Sequence, residues 1–327
     1  MTSPDRLGSE YYKQYLTVQG RICYDQICRQ LNNRDYSGQT TIMVTNGKNA
    51  SVDCFSAVKA VRDDHPEYFF LGNKIEFLLH GKKATVNYQV VYPGRDIERV
   101  NRLLDKKITG LTNGIWHLSA YMREKTIYER IAKEMKYKNH DDVRDHSVVG
   151  PLLMSEGVCE GQNALLILCL RRAGIPCIKI FGKTDTDDWH CWTIAWIDGK
   201  PVHCDVTWDN AEKGVVYFDY FNLSDEQMKK DHFKFSDYNI PRCDAEDMDY
   251  YHRYRLNVRS FKDLCSRLSV DYSLGTAPIM MHFDYLPESG SFFDEIGKAV
   301  KHCRIRDGYC ARSNSKTENI ALLIGNR

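Results

Sequence analysis

The sequence predicts an α+β protein with a buried, cysteine-bearing helix followed by a β-hairpin, and with α+β extensions on both sides. Three observations carry this expectation. Gly157-Val158-Cys159-Glu160-Gly161-Gln162 leads into an almost wholly apolar segment, Asn163 to Ala173, which reads as a buried helix. Trp189 to Ile197 and Pro201 to Trp208 are rich in strong β-formers and flank Asp198-Gly199, the signature of a two-residue hairpin turn. Helical and strand-like periodicities alternate on either side of this centre, with no internal repeat and no low-complexity segment.

Taken in order, residues 10–31 form a helix, because Tyr11, Tyr15, Val18, Ile22, Ile27 and Leu31 recur at steps compatible with one face. Residues 50–62 form a second, halted by His65-Pro66. Glu67 to Leu79 and Ala84 to Tyr92 read as strands joined at Gly81-Lys82-Lys83, and 95–107 returns to helical spacing. A longer amphipathic helix is expected over 113–137, where Ile115, Leu118, Tyr121 and Met122 precede Ile127, Ile131 and Met135. A polar loop follows, then the cysteine helix, closed by Gly174 with Pro176 beyond. Cys177 to Phe181 is a strand. Ser224 is the best helix-cap signal after the hairpin. The tail reads strand (255–260), helix (261–269), strand (277–285), helix (292–303), strand (319–324). The expected division is an N-terminal α+β region, 1–112, a core, 113–255, and a small α+β appendage, 256–327.

At 327 residues and a formal net charge of +1, the chain has no overall field to recruit nucleic acid or an acidic membrane. Met1 to Arg6 is polar and lacks the apolar stretch of a secretory signal, and no apolar run approaches the ~20 residues of a membrane span. The 12 cysteines are scattered and form no Cys-x-x-Cys pair. They read as reduced, mostly buried small hydrophobes of a cytoplasmic protein, with no metal site and no cofactor. Asp185, Asp187 and Asp188 form an acidic loop without the spacing or glycine of an EF-hand; it reads as solvated, with calcium as the alternative.

The chemistry lies in Cys159, His190 and Asp205. A free thiol titrates near ~8.5 and only the thiolate attacks well. A cysteine at a helix N-terminus gains from the helix dipole and from unpaired N–H groups, which can also hold an oxyanion. With a two-residue turn at Asp198-Gly199, His190 and Asp205 fall on the same face of the hairpin as diagonal neighbours. That places a nucleophile, a base and the orienter of the base within reach of one another. Gly157 and Gly161 suit a tight turn and a close backbone approach by substrate. Trp189 and Trp192 are candidates to flank a cleft.

Gly157-Val158-Cys159-Glu160-Gly161, Trp189-His190-Cys191-Trp192 and His203-Cys204-Asp205-Val206-Thr207-Trp208-Asp209 resemble the three signature blocks of the transglutaminase-like superfamily, in the form seen in bacterial members. His146-Ser147 with Gly150-Pro151, and Tyr220-Phe221-Asn222-Leu223, resemble the same branch. The likeness covers roughly residues 115–225. It implies a papain-like core, with the cysteine-bearing helix packed on an antiparallel sheet, and acyl transfer through a thioester on Cys159, served by His190 and Asp205. Glu160 falls within the first block and is a candidate substrate or oxyanion residue. The papain-type oxyanion glutamine is replaced by Leu153, and Trp116 is a candidate for the tryptophan that animal transglutaminases use instead. Cys191 stands where alanine usually follows the histidine. The function expected is a thiol-dependent amide hydrolase or acyltransferase acting on a peptide or protein, with water as the preferred acceptor. The alternatives are a protein-crosslinking transglutaminase and a catalytically silent binding module.

Overall fold

The computed structural model describes residues 6–44, 47–211, 214–234, 240–288 and 290–325; Met1 to Asp5 of the polar N-terminus lie outside them. The fold is mixed α+β. Its centre is a five-stranded antiparallel sheet in the order His232–Lys234, Cys177–Thr184, Trp189–Ile197, Lys200–Cys204, Phe221–Leu223. The helix Cys159–Arg172 packs on it, and Leu165, Leu166, Ile167, Cys169 and Leu170 are fully buried there. Such all-round burial explains why the segment has no polar face.

The hairpin follows from its turn. Asp198 and Gly199 both have positive φ (52° and 82°), the geometry that matches the twist of paired strands. Thr193 pairs with Cys204 and Ile197 with Lys200, the register a two-residue loop dictates. The ladder stops at Cys204. Asp205 then leaves the strand while its N–H still donates to Tyr220 O at 2.9 Å.

The helix expected over 113–137 begins only at Ala120 and runs to Glu134. Gly114 has φ +77°, and Ser119 caps the helix by accepting from Met122 N. The apolar spacing of Ile115 and Leu118 belongs to a loop. The first helix likewise splits, because Thr17 accepts from Gly20 N at 3.0 Å and starts a separate helix, Val18–Asn32. Several strands escaped the sequence reading, among them Phe221–Leu223 and the edge strand His232–Lys234 of the central sheet. Gln39–Met43 pairs with Lys83–Val90 to complete a three-stranded sheet, and Tyr309–Asn314 is a largely polar strand beside Asn319–Ile324. Among the described residues no helix is long and apolar enough to cross a membrane.

Buried apolar side chains from Tyr11 to Leu256 form one continuous core, which Met280 and Ala321 of the tail also join, and other tail residues from Val258 to Leu322 build a second, smaller one. Arg171 ties the first third to the centre by donating to Asp64 O and Gly8 O, both at 2.6 Å. The tail is held by a buried carboxylate. Asp219 is fully buried and accepts from Arg312 (2.6 Å), Asn319 (3.0 Å) and Asn314 (3.3 Å). Asp219→Ala leaves these donors facing a void, and breaking one side of a buried ion pair costs about 3–5 kcal/mol. A clear fall in the thermal midpoint and faster proteolysis of the tail are expected. An unchanged melting curve would show that the appendage is anchored elsewhere.

Candidate active site

Cys159 is the first residue of its helix. Val158 before it is extended and gives no side-chain cap, so the first N–H groups have no side chain laid over them. His190 stands on the adjacent strand, Trp189–Ile197, and its Nε2 lies 2.6 Å from Asp205 Oδ2. This leaves Nδ1 for the thiol side, and Cys159 and His190 each favour the charged form of the other. Thr207 N and Trp208 N hold Asp205 Oδ1 at 2.9 and 3.4 Å. Tyr128 OH donates to Asp205 O at 2.8 Å and is shared with Asp209, which also accepts from the Asp219 and Tyr220 N–H groups. The second aspartate of the His203–Asp209 block is therefore the anchor of the loop that presents the first.

The electrostatics separate charge across the group. The Cys159 thiol is held down at about 5, first by the hydrogen bond from the Cys191 thiol and then, against burial, by His190. Burial pulls the His190 ring down, but the charge of Asp205 and hydrogen bonds to Asp205 and Cys159 overcome it and lift His190 to about 10. Asp205 is also opposed by burial, yet His190 and His232 keep it well below the usual carboxylate range. Between these values the pair rests as thiolate and imidazolium.

The sequence did not single out His232. Its Nε2 lies 3.2 Å from the same Asp205 oxygen, while Nδ1 lies 2.6 Å from Asp231 Oδ1. Tyr220 OH donates to Asp231 at 2.6 Å, and Asn314 of the tail donates to that hydroxyl at 3.3 Å. Asp205 thus sits between two histidines, and the chain of partners runs on to the appendage. Gly182 makes room for this packing: a Cβ there would lie 2.3 Å from Phe233 O and 2.5 Å from the Trp192 ring.

Several expected site residues are placed differently. Trp192 is fully buried, stacks near His190 (centroids 6.0 Å apart) and donates to His203 Nδ1; it backs the base and does not flank a cleft. Trp189 is 73% exposed at the start of the same strand. Gly161 is required by the protein's own backbone, since a Cβ would lie 2.5 Å from Asp145 O and 2.7 Å from Ser147 O. Gly157 is less tightly enclosed, since a Cβ there would lie 3.0 Å from the Pro151 ring and 3.3 Å from Asp145 O. Glu160 is engaged by Lys179 (3.2 Å) and His146 (3.5 Å). Trp116 is exposed on the loop before Ala120, and about 12 Å of helix separates that helix start from Tyr128, which touches Asp205. Leu153 is exposed in the helix Val149–Met154. Asp185 and Asp187 are paired with Lys316 and Lys183, and Asp188 accepts from Thr186.

Two groups among the described residues bring metal-ligand atoms together: His190, Asp205 and His232, and His203, Asp225 and Cys243. In the first, both Nε2 atoms face one oxygen of Asp205. In the second, the Trp192 N–H occupies His203 Nδ1, which puts the ring proton of neutral His203 on Nε2, facing Asp225 at 2.8 Å. Neither arrangement leaves a ring lone pair for an ion while these bonds hold.

Residues 109–206 match the family model of the transglutaminase-like superfamily. The segment that carries the cysteine helix and the hairpin is thus similar to that superfamily. Among solved structures the chain is similar to a TGase, at 11% identity over 52% of this chain and 50% of that one, with a TM-score of 0.29. It is also similar to a proposed cysteine protease from Cytophaga hutchinsonii (16% identity, 44% and 65% of the two chains, TM-score 0.29) and to a proposed protease from Parabacteroides distasonis (15%, 40% and 35%, TM-score 0.26). Each likeness spans less than two thirds of the solved chain. No curated protein matches. The transglutaminase-like segment contains Cys159, His190 and Asp205, while His232 and the tail that reaches toward it lie beyond its end.

Proposed function

We propose that the protein is a thiol-dependent hydrolase or acyltransferase that cleaves an amide in a peptide or isopeptide through a thioester on Cys159. The observation that carries this reading is the Cys159–His190–Asp205 alignment at a helix start. The Cys159 thiolate adds to the substrate carbonyl carbon. N–H groups at the start of its helix face the oxygen that becomes negative. His190, charged at rest, gives its proton to the departing amine as the C–N bond breaks. The neutral ring then takes a proton from water, whose oxygen adds to the thioester and releases acid and thiolate. Asp205 holds the ring orientation and its charge throughout.

The primed thiol has a measurable signature. At pH 6.5 an ordinary thiol is about 1% ionised, so complete ionisation gains about 100-fold, but the weaker basicity of such a thiolate returns roughly 40-fold of that. Absolute rates therefore discriminate poorly and the pH profile discriminates well. Alkylation of Cys159 by iodoacetamide, followed by peptide mapping, is expected to rise through about pH 5 and change little between pH 6 and 8. An ordinary thiol climbs close to 100-fold over that interval. His190→Ala should move the Cys159 profile toward the ordinary one. A wild-type Cys159 rate that climbs in parallel with the exposed Cys310 would refute a primed nucleophile.

A further inference from the structure

The residue after the base is itself a cysteine, and the fold aims it at the nucleophile. Along the strand Trp189–Ile197, side chains alternate between faces. Thr193 donates to Asn163 on the cysteine helix at 3.0 Å, which fixes the helix-facing set as Cys191 and Thr193. The Asn163 amide nitrogen also donates to Cys159 O at 2.9 Å and to Cys191 O at 3.1 Å. One side chain thus clamps the backbones of both cysteines, and the two thiols lie close enough for each to shift the other's proton. Cys159 is partly exposed, whereas Cys191 is buried and closed to solvent reagents.

We propose that Cys191 is a resolving cysteine, and that a hydroperoxide converts the Cys159–Cys191 pair into a reversible disulfide. The Cys159 thiolate attacks the terminal peroxide oxygen. The O–O bond breaks, the peroxide is reduced to an alcohol or water with a proton from His190, and Cys159 becomes a sulfenic acid. Cys191 then attacks the Cys159 sulfur, and its proton passes to the sulfenic oxygen. The S–S bond forms, and hydroxide leaves with that proton as water. A dithiol returns both residues to thiols by exchange. Cys191 is inert toward peroxide in its own right, since contact with Cys159 and burial hold its proton firmly. Its neighbour is the reactive partner. Without a resolving thiol the sulfenic acid proceeds to the irreversible sulfinic acid.

The inference uses the reactive thiol of the proposed hydrolase, but its test needs no substrate. The full chain is treated with hydrogen peroxide at pH 6.5, digested without reductant, and mapped by mass spectrometry. The expected product is a linked pair of peptides carrying Cys159 and Cys191, and dithiothreitol should restore iodoacetamide labelling of Cys159. In Cys191→Ser, and in Cys191→Ala should the serine variant not fold, the link disappears. Cys159 then gains two oxygen atoms, and labelling stays lost after reductant. Cys159 oxidised to the same end product in wild type and variant, with no link, overturns the resolving role and leaves the hydrolase untouched. Cys159 that neither oxidises nor labels overturns both.

Discussion

Cys159→Ala is expected to reduce amide hydrolysis to the assay background while leaving the fold intact. Removing the nucleophile of a triad costs about 10^6-fold in turnover, because the remaining members have nothing to activate. Exchange of a thiol for a methyl at a partly exposed helix start changes volume little, so stability should move by less than about 1.5 kcal/mol. The readout is amine release from a pooled peptide library, with circular dichroism and melting curves of the same preparation. A folded variant that releases amine at the wild-type rate, or that keeps full effect in a cellular complementation assay, would refute catalysis by this thiol and favour a binding module.

Asp205→Asn should cost about 10^4-fold in rate, because an amide cannot hold the same ring tautomer or the same positive charge on His190. Here the consequence spreads further than in an isolated triad. The carboxylate serves His190 and His232 together, and an amide oxygen or nitrogen facing both rings forces at least one of them to change protonation. His190 should fall from about 10 toward its ordinary ~6.5, and the thiol should rise from about 5.

The pH dependence of stability follows in sign. The folded His190 value lies above its unfolded one, so the stability it confers is fully present below about 6.5 and is lost as pH rises through about 10. Asp205 is depressed, so its contribution is present above about 3.9 and is lost in stronger acid. Cys159 is held at about 5, so its contribution is lost as pH falls through about 5 and is complete only near the ~8.5 of a free thiol. The difference in melting temperature between wild type and Asp205→Asn should therefore be widest near neutral pH and narrow both toward pH 10 and below about pH 4. A difference that keeps growing from neutral pH to pH 10 would exclude the ion pair as its source.

What could be read before the structure was whatever the chain decides locally. The hairpin register is set by two residues, Asp198 and Gly199, and by a side-chain period of two, so His190 and Asp205 could be placed on one face from spacing alone. The end of the cysteine helix was legible because Gly174, at φ +73°, takes a conformation that costs most other residues strain. Periodicity misled where apolar residues at helical spacing served a loop, at Ile115 and Leu118. It was silent where a strand is polar, as in Tyr309–Asn314. The strand Gln39–Met43 gains its identity from pairing with Lys83–Val90.

The sequence by itself determined the chemical types and their order: a thiol at a helix start, then an imidazole and a carboxylate on one hairpin. Only the tertiary structure decided what surrounds them. His232 reaches Asp205 from the edge strand of the sheet, Tyr128 and Asp209 hold the loop that carries Asp205, and Asn163 brings Cys191 against Cys159. Each of these contacts joins segments far apart in the chain, and no local pattern specifies them. They form because burying the cysteine helix and the hairpin strands against one another leaves polar groups away from water, where each must find a partner among whichever residues the packing has brought within reach.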